Sequence, residues 1–223
     1  IYKEMILPEL KLFSDISLRE PIGSQEVMAY TGIEPKINLD PTLLLGKEDY
    51  EVFCEDSQIP KQKYIFLYTV MKHNMLIEFV KRLQLETGLS IIYSTAYKDS
   101  EFISLENAIN VKAMHPVQFI TLIKNAEYIC TTSFHGAAFA VVFQKLFFTE
   151  INCKDGFNYR VDNLLTKIRL GNRVIDNGIV DFGSEIDYMS TEIILDNQRR
   201  NSSEYLMSVI DKTKNVTRRN DDR

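Results

Sequence analysis

The sequence has few cysteines, no long apolar run and no excess of basic residues, and each shortage excludes a class of protein. The three cysteines among 223 residues, Cys54, Cys130 and Cys153, are too scattered for a disulfide framework or a structural zinc site. No apolar run approaches the roughly 20 residues that cross a bilayer. With 26 Lys and Arg against 31 Asp and Glu, the mildly acidic chain does not suit general nucleic-acid binding. We therefore expect a globular protein of a reducing compartment.

Three phosphate-binding and nucleophile motifs are also missing. The chain has no Gly-x-Gly-x-x-Gly, no P-loop and no Gly-x-Ser-x-Gly segment. Their absence argues against a Rossmann dehydrogenase, a P-loop kinase and an α/β-hydrolase.

The chain opens on Ile1, in a segment without the basic and apolar regions of a signal peptide. This opening is typical of the middle of a domain, so we expect further residues upstream of it.

From Tyr64 onwards the chain alternates buried strands with amphipathic helices. Tyr64–Val70 is nearly all apolar, as expected of a strand covered on both faces of a parallel sheet. Further strands are predicted at 89–94, 127–132 and 145–151, and helices at 74–87, 116–125 and 134–143. Asn74 is the predicted N-cap of the first of these helices, and Gly88 is predicted to end it. This rhythm is typical of a doubly wound α/β domain. The charged segment 47–63 is predicted to be a linker, and residues 161–170 and 188–214 to be helices before a disordered, charged tail.

The segment Thr131–Ala138 combines a strand end, two capping residues and a histidine. Ligands of open α/β sheets bind at the carboxyl ends of the strands, where the first turn of a helix attracts anions. Thr132 and Ser133 are natural helix caps, and Gly136 allows close approach of a ligand. His135 would then exchange protons at an anion site. The alternative is a polar cap followed by a histidine that bonds a neighbouring carbonyl.

Three further residues lie where strands or loops end. Arg19 follows a short apolar strand and is suited to a carboxylate or phosphate, although a surface salt bridge with Glu20 or a neighbouring residue is the commoner outcome for such an arginine. Asp40 is a strand-end carboxylate or a turn cap. His115 precedes the helix that begins at Pro116, where it would line the same cleft or bond locally. No spacing of potential ligands predicts a metal site.

Four segments resemble the polysaccharide pyruvyl transferase family in their order along the chain. They are Ile16–Glu20 (ISLRE), Leu39–Thr42 (LDPT), Asn125–Tyr128 (NAEY) and Thr132–Gly136 (TSFHG). The resemblance extends from about Ser14 to Leu206. It implies a glycosyltransferase-B-like fold, in which two Rossmann-like domains face each other across a cleft. Residues 1–58 would be the end of a truncated N-terminal domain, 59–206 the Rossmann-like C-terminal domain with its closing helices, and 207–223 the charged tail.

The resemblance also implies an activity and site residues. Family members transfer a pyruvyl group from phosphoenolpyruvate to a sugar diol, which forms a cyclic ketal and releases phosphate. The family's active-site histidine corresponds to His135 and a donor-binding arginine to Arg19, with Ser133, Thr132 and Gly136 as further donor contacts and Asp40 and His115 lining the cleft. Some members have a second donor-binding arginine two residues before the histidine. Here that position is Ser133, so backbone amides or another cation must replace the charge.

The resemblance sets expectations for partners and location as well. Phosphoenolpyruvate is the expected donor substrate, with no cofactor and no metal, and a glycan or lipid-linked sugar is the expected acceptor. The expected setting is the bacterial cytoplasm, in capsule, exopolysaccharide or cell-wall glycan assembly, with at most peripheral membrane association. One alternative is a nucleotide-sugar glycosyltransferase, for which Glu150 is the candidate ribose-binding carboxylate. The other is an inactive domain that binds an anionic glycan.

Overall fold

The computed structural model of the protein describes residues 2–55, 60–70, 75–96, 102, 105–151, 159–175 and 181–221. The chain divides into two units. The first consists of residues 1–44 together with 193–223, and the second of residues 45–192. The predicted N-cap Asn74 lies outside the described residues.

The first unit contains a small parallel sheet. Its elements are α1 (Tyr2–Leu10), β1 (Ser17–Leu18), α2 (Ser24–Thr31), β2 (Lys36–Ile37) and a 3-10 helix at Pro41–Leu43. β1 and β2 pair in parallel, with Ser17 opposite Lys36, and α2 connects them. Because parallel strands end at the same edge of a sheet, the residues that follow β1 and β2 come together there.

The second unit is a doubly wound α/β domain, as the sequence predicts. Its elements are α3 (Lys47–Glu51), β3 (Tyr64–Thr69), α4 (Leu76–Thr87), β4 (Ser90–Thr95), β5 (Ala108–Asn110), α5 (Pro116–Asn125), β6 (Tyr128–Thr131), α6 (Phe134–Val142), β7 (Leu146–Thr149) and α7 (Tyr159–Lys167). A 3-10 helix at Gly171–Arg173 and the start of α8 (Tyr188–Asp221) follow. All strands are parallel, in the order β5-β4-β3-β6-β7. The strand order reverses between β3 and β6, which is where doubly wound sheets bind ligands.

The core of the second unit lies on the central strands. Ile65, Phe66 and Leu67 of β3 are completely buried, which confirms a strand covered on both faces. One face of α4 packs on this sheet through Leu76, Val80 and Leu83, among others. Gly88 then ends α4 in the left-handed conformation (φ 68°), as predicted from its position.

Two segments differ from their predicted local structure. Part of the predicted linker forms α3, because Tyr50 packs edge-on against Phe139 at a ring-centroid distance of 4.9 Å. The charged segment from residue 207 is helical as far as Asp221, so the disorder predicted after residue 214 is wrong for residues 215–221. This segment has no Gly or Pro that would end a helix, and Lys212 pairs with Asp15 at 3.0 Å.

The division into units also differs from the boundaries expected at residues 58 and 206. Residues 45–55 belong to the second unit, where the amide of Glu55 donates to Thr121 Oγ1 at 3.1 Å. Residues from Ile193 onwards belong to the first unit. Inside that unit, the amide of Leu39 donates to Ser202 Oγ at 3.0 Å, and Arg199 Nε donates to the carbonyl of Leu43 at 2.8 Å.

None of the helices in the described part of the chain is long and apolar enough to cross a membrane.

Candidate active site

The junction between β6 and α6 lies at the point where the strand order reverses. Ser133 is the N-cap of α6, and its Oγ accepts a hydrogen bond from the amide of Gly136 at 3.3 Å. The predicted start of this helix is therefore confirmed. No described residue accepts a hydrogen bond from the Ser133 hydroxyl, which leaves its proton for another acceptor.

Two threonine side chains hold this junction against β3. Thr131 Oγ1 donates to the carbonyl of Tyr68 at 2.7 Å and accepts from the amide of Ser133 at 2.9 Å. Thr132 Oγ1 accepts from the amide of Val70 at 3.1 Å. Both threonines are buried. Their hydroxyls thus fix the backbone from which α6 starts, a role that the sequence did not suggest for Thr132.

Gly136 is required by the close approach of Thr131. A Cβ atom at this position would lie 2.4 Å from Thr131 Oγ1 and 3.0 Å from Thr131 Cβ. Heavy atoms do not approach so closely without a rearrangement. Glycine therefore lets the first turn of α6 lie directly against the end of β6, whether or not a ligand also approaches it.

His135 is the one residue among Thr132, Ser133, His135 and Gly136 that the structure leaves exposed. It is the second residue of α6, and its imidazole meets the ring of Phe134 edge-on at a centroid distance of 5.4 Å. An exposed imidazole at this edge of the sheet is accessible to a substrate. Helix N-termini favour negative charge, so an anion beside His135 would be stabilised.

Arg160 is a cation at this site that sequence reasoning missed. The guanidinium carbon of Arg160, in the first turn of α7, lies 4.9 Å from the centroid of the Phe134 ring. Cations are attracted to the faces of aromatic rings at such distances. No sequence pattern signalled the contact, because Arg160 and Phe134 belong to different helices.

In the first unit, Arg19 and Asp40 meet at the carboxyl edge of the β1–β2 sheet. Arg19 Nη1 pairs with Asp40 Oδ2 at 2.5 Å, so Arg19 does form a salt bridge, with Asp40 and not Glu20 as its partner. Asp40 Oδ1 accepts from the amide of Thr42 at 3.0 Å, as a cap. Burial raises the pKa of Asp40, but the hydrogen bonds from Thr42 and Arg19 outweigh it and hold the pKa below the ordinary value. Asp40 therefore orients Arg19 as an ionised carboxylate.

A cavity of about 230 Å³ adjoins Arg19 within the first unit. Its lining includes Ser17, Asn38 and Ser202 as well as Arg19. The side-chain oxygen and nitrogen of Asn38 are both buried, and neither has a hydrogen-bond partner among the described residues. Buried amides usually find partners, so Asn38 is a further candidate for contact with a polar ligand.

His115 is the N-cap of α5. Its Nδ1 accepts a hydrogen bond from the amide of Gln118 at 3.2 Å, and the residue is exposed. This contact matches the local alternative for His115. Its place in the lining of a cleft stays a prediction.

Glu150, on which the nucleotide-sugar alternative depends, holds the start of α4. The residue is 2% exposed, and its Oε2 accepts hydrogen bonds from the amides of Met75 and Leu76 at 3.0 and 2.7 Å. Glu150 is thus a buried carboxylate whose observed hydrogen bonds hold a helix N-terminus. The residue therefore gives no support to a nucleotide-sugar site.

The part of the chain that the structure describes contains no cluster of metal-binding side chains. There, no group of three or more His, Cys, Asp or Glu side chains is arranged to hold a metal ion.

Residues 2–149 match the polysaccharide pyruvyl transferase family. The chain belongs to this family. The matched region includes both the Arg19 segment and the Ser133–Gly136 junction, and the resemblance seen in the sequence is thereby confirmed. No curated protein sequence matches the chain.

Two solved structures align with most of this chain at low sequence identity. The wall teichoic acid polymerase TagF is 14% identical, with a TM-score of 0.43, and the match covers 94% of this chain and 55% of that one. A UDP-GlcNAc 2-epimerase from Methanocaldococcus jannaschii, in complex with UDP-GlcNAc and UDP, is 16% identical with a TM-score of 0.42. That match covers 82% of this chain and 60% of the epimerase. This member of the pyruvyl transferase family thus spans less than two thirds of either structure.

Proposed function

We propose that the protein transfers the pyruvyl group of phosphoenolpyruvate to two hydroxyls of a sugar in a polysaccharide or its lipid-linked precursor. The product is a cyclic ketal, and phosphate is released. The observation that carries this proposal is the exposed His135 in the first turn of α6, at the reversal point of the sheet, in a chain of the pyruvyl transferase family. No cofactor enters the proposed reaction.

The start of α6 suits the anionic groups of the donor. Phosphoenolpyruvate carries a carboxylate and a phosphate, and a helix N-terminus stabilises negative charge. The Ser133 hydroxyl has a proton that no described residue accepts. In the proposed complex, Ser133 donates this hydrogen bond to the donor. Thr132 and Gly136 contribute by holding the junction in place.

His135 is proposed as the general acid. A proton from its imidazolium adds to the methylene carbon of phosphoenolpyruvate, which becomes a methyl group and leaves an electrophilic carbon at the former enol position. One sugar hydroxyl attacks this carbon and loses its proton, which restores the imidazolium. The phosphate group then leaves with its bridging oxygen. The second hydroxyl attacks the same carbon, and its proton leaves with the phosphate.

Arg19 is proposed to bind the carboxylate or phosphate of the donor. Its guanidinium presents several donors in a planar fork, of which only Nη1 pairs with Asp40. In this proposal Asp40 does not contact the donor, and it serves to orient the guanidinium. Asn38, in the neighbouring cavity, is proposed to contribute an amide to the same donor groups.

The acceptor and the cellular setting follow from the family. A family that modifies polysaccharides requires a glycan or lipid-linked sugar as the acceptor. Phosphoenolpyruvate is a cytoplasmic metabolite, so the proposed reaction takes place in the cytoplasm, at most at the surface of a membrane.

The proposal is tested by phosphate release from phosphoenolpyruvate in the presence of galactosides, mannosides and N-acetylhexosamines. We expect acceptor-dependent release by the unaltered protein. His135→Gln should lower the rate about 100- to 10,000-fold, the usual contribution of a general acid. Since His135 is exposed, this variant should unfold at the same urea concentration as the unaltered protein.

Arg19→Gln provides the second comparison. We expect it to raise the KM for phosphoenolpyruvate, whereas Arg200→Gln, which removes an exposed arginine of the same unit, should not. Binding of phosphoenolpyruvate without release with any acceptor would favour the inactive glycan-binding alternative. Neither binding nor release would overturn the proposal, and nucleotide sugars would then be assayed.

A further inference from the structure

Arg160 and His135 both contact the aromatic ring of Phe134. The guanidinium carbon of Arg160 is 4.9 Å from the centroid of the Phe134 ring, and the imidazole of His135 is 5.4 Å from that centroid. Phe134 itself stands between Ser133 and His135 in the sequence. A cation from α7 is thereby held beside the first turn of α6.

The position of Arg160 in its own helix is unfavourable. It is the second residue of α7, and a positive charge at a helix N-terminus is opposed by the helix dipole. No carboxylate among the described residues forms an ion pair with it. The Phe134 ring compensates part of this cost. A partly exposed guanidinium that has no carboxylate partner is suited to binding an anion.

The location of Arg160 also matches the positive charge that this chain lacks at Ser133. The family resemblance implies that some members have an arginine, and hence a cation, at the position of Ser133. Ser133 contributes a hydroxyl but no charge. Arg160 contacts the next residue, Phe134, and a guanidinium forms two parallel hydrogen bonds with a carboxylate or a phosphate.

We propose that Arg160, held on the face of Phe134, binds the carboxylate or phosphate of the donor beside His135. Arg160 then supplies the positive charge that some members have in an arginine at the position of Ser133. This inference rests on the proposed function. Arg160 is a substrate-binding residue in it, and Phe134 positions the guanidinium.

The test compares Arg160→Gln with Arg169→Gln in the full chain, by initial rates of phosphate release over a range of phosphoenolpyruvate concentrations. Arg169 is an exposed arginine just beyond the end of α7, so its variant loses the same charge from the same region. We expect Arg160→Gln to raise the KM for phosphoenolpyruvate about 10- to 100-fold, as for the loss of a hydrogen-bonded charge, with a smaller change in kcat. Arg169→Gln should change the KM less than twofold.

A second pair of variants separates binding from folding. Arg160→Lys keeps the charge and should recover part of the KM, which a loss of packing alone would not do. Phe134→Leu should also raise the KM, and combining it with Arg160→Gln should add little, because the ring acts through the guanidinium.

The two proposals fail in different ways. Acceptor-dependent release with equal KM values for Arg160→Gln and Arg169→Gln would overturn the role of Arg160 and leave the proposed function intact. Absence of acceptor-dependent release by the unaltered protein would overturn the proposed function, and the inference about Arg160 with it. Equal losses of kcat and of folding stability in Arg160→Gln, without recovery by lysine, would assign a structural role instead.

Discussion

Replacing Gly136 by alanine tests the packing that fixes the start of α6. The added Cβ would lie 2.4 Å from Thr131 Oγ1, so one of the two must move. Thr131 is completely buried and its hydroxyl forms hydrogen bonds with Tyr68 and Ser133. The side chain of Thr131 therefore cannot adopt another rotamer without losing these hydrogen bonds.

The cost follows from the two ways in which the junction can respond. Shifting the backbone of α6 to admit the methyl group costs about 1–3 kcal/mol, as overpacking of a core does. Turning Thr131 instead gives up two hydrogen bonds of about 0.5–1.5 kcal/mol each. Either response costs more than the roughly 0.5–1 kcal/mol that alanine gains over glycine in a helix. We expect a net loss of about 1–2 kcal/mol in the free energy of unfolding.

Urea denaturation followed by circular dichroism measures this loss. With a slope of about 2 kcal/mol per M, the midpoint should fall by about 0.5–1 M. Gly171→Ala is the matched control, since a Cβ there meets no atom within 4 Å and its φ is not positive. That variant should unfold at the midpoint of the unaltered protein or slightly above it. Equal midpoints for Gly136→Ala and Gly171→Ala would refute the reasoning.

Two further predictions concern buried carboxylates. Glu150→Ala leaves the amides of Met75 and Leu76 without this acceptor, so we expect a loss of about 1–3 kcal/mol in the free energy of unfolding, and a smaller loss for Glu150→Gln, which keeps an oxygen. Unaltered urea midpoints in both variants would contradict this role. Asp40→Asn should destabilise the protein at neutral pH, because the folded-state pKa of Asp40 is lowered and its ionised form contributes stability. That contribution is lost as the pH falls below the ordinary value of 3.8, so the variant and the unaltered protein should converge in acid-dependent unfolding curves. A difference that persists in acid would contradict the assignment.

Local signals were sufficient for much of the fold. The apolar run of β3 predicted a strand buried on both faces, because a parallel sheet covered by helices leaves no place for an alternating pattern. Gly88 predicted the end of α4 because glycine adopts the left-handed backbone conformation at little cost in energy. Ser133 predicted the start of α6 because a serine Oγ accepts a hydrogen bond from an amide of the first turn, here that of Gly136. The short elements α3 and β5 gave no comparable signal, since five and three residues show no period.

The sequence by itself therefore determined the α/β class, the parallel sheet, the family and the location of His135 at the start of a helix. Only the tertiary structure decided which groups these residues meet. It pairs Arg19 with Asp40, uses Glu150 to cap α4, and brings Arg160 onto the ring of Phe134. The reason is physical: periodicity and caps depend on neighbours along the chain, whereas these contacts depend on how strands and helices pack.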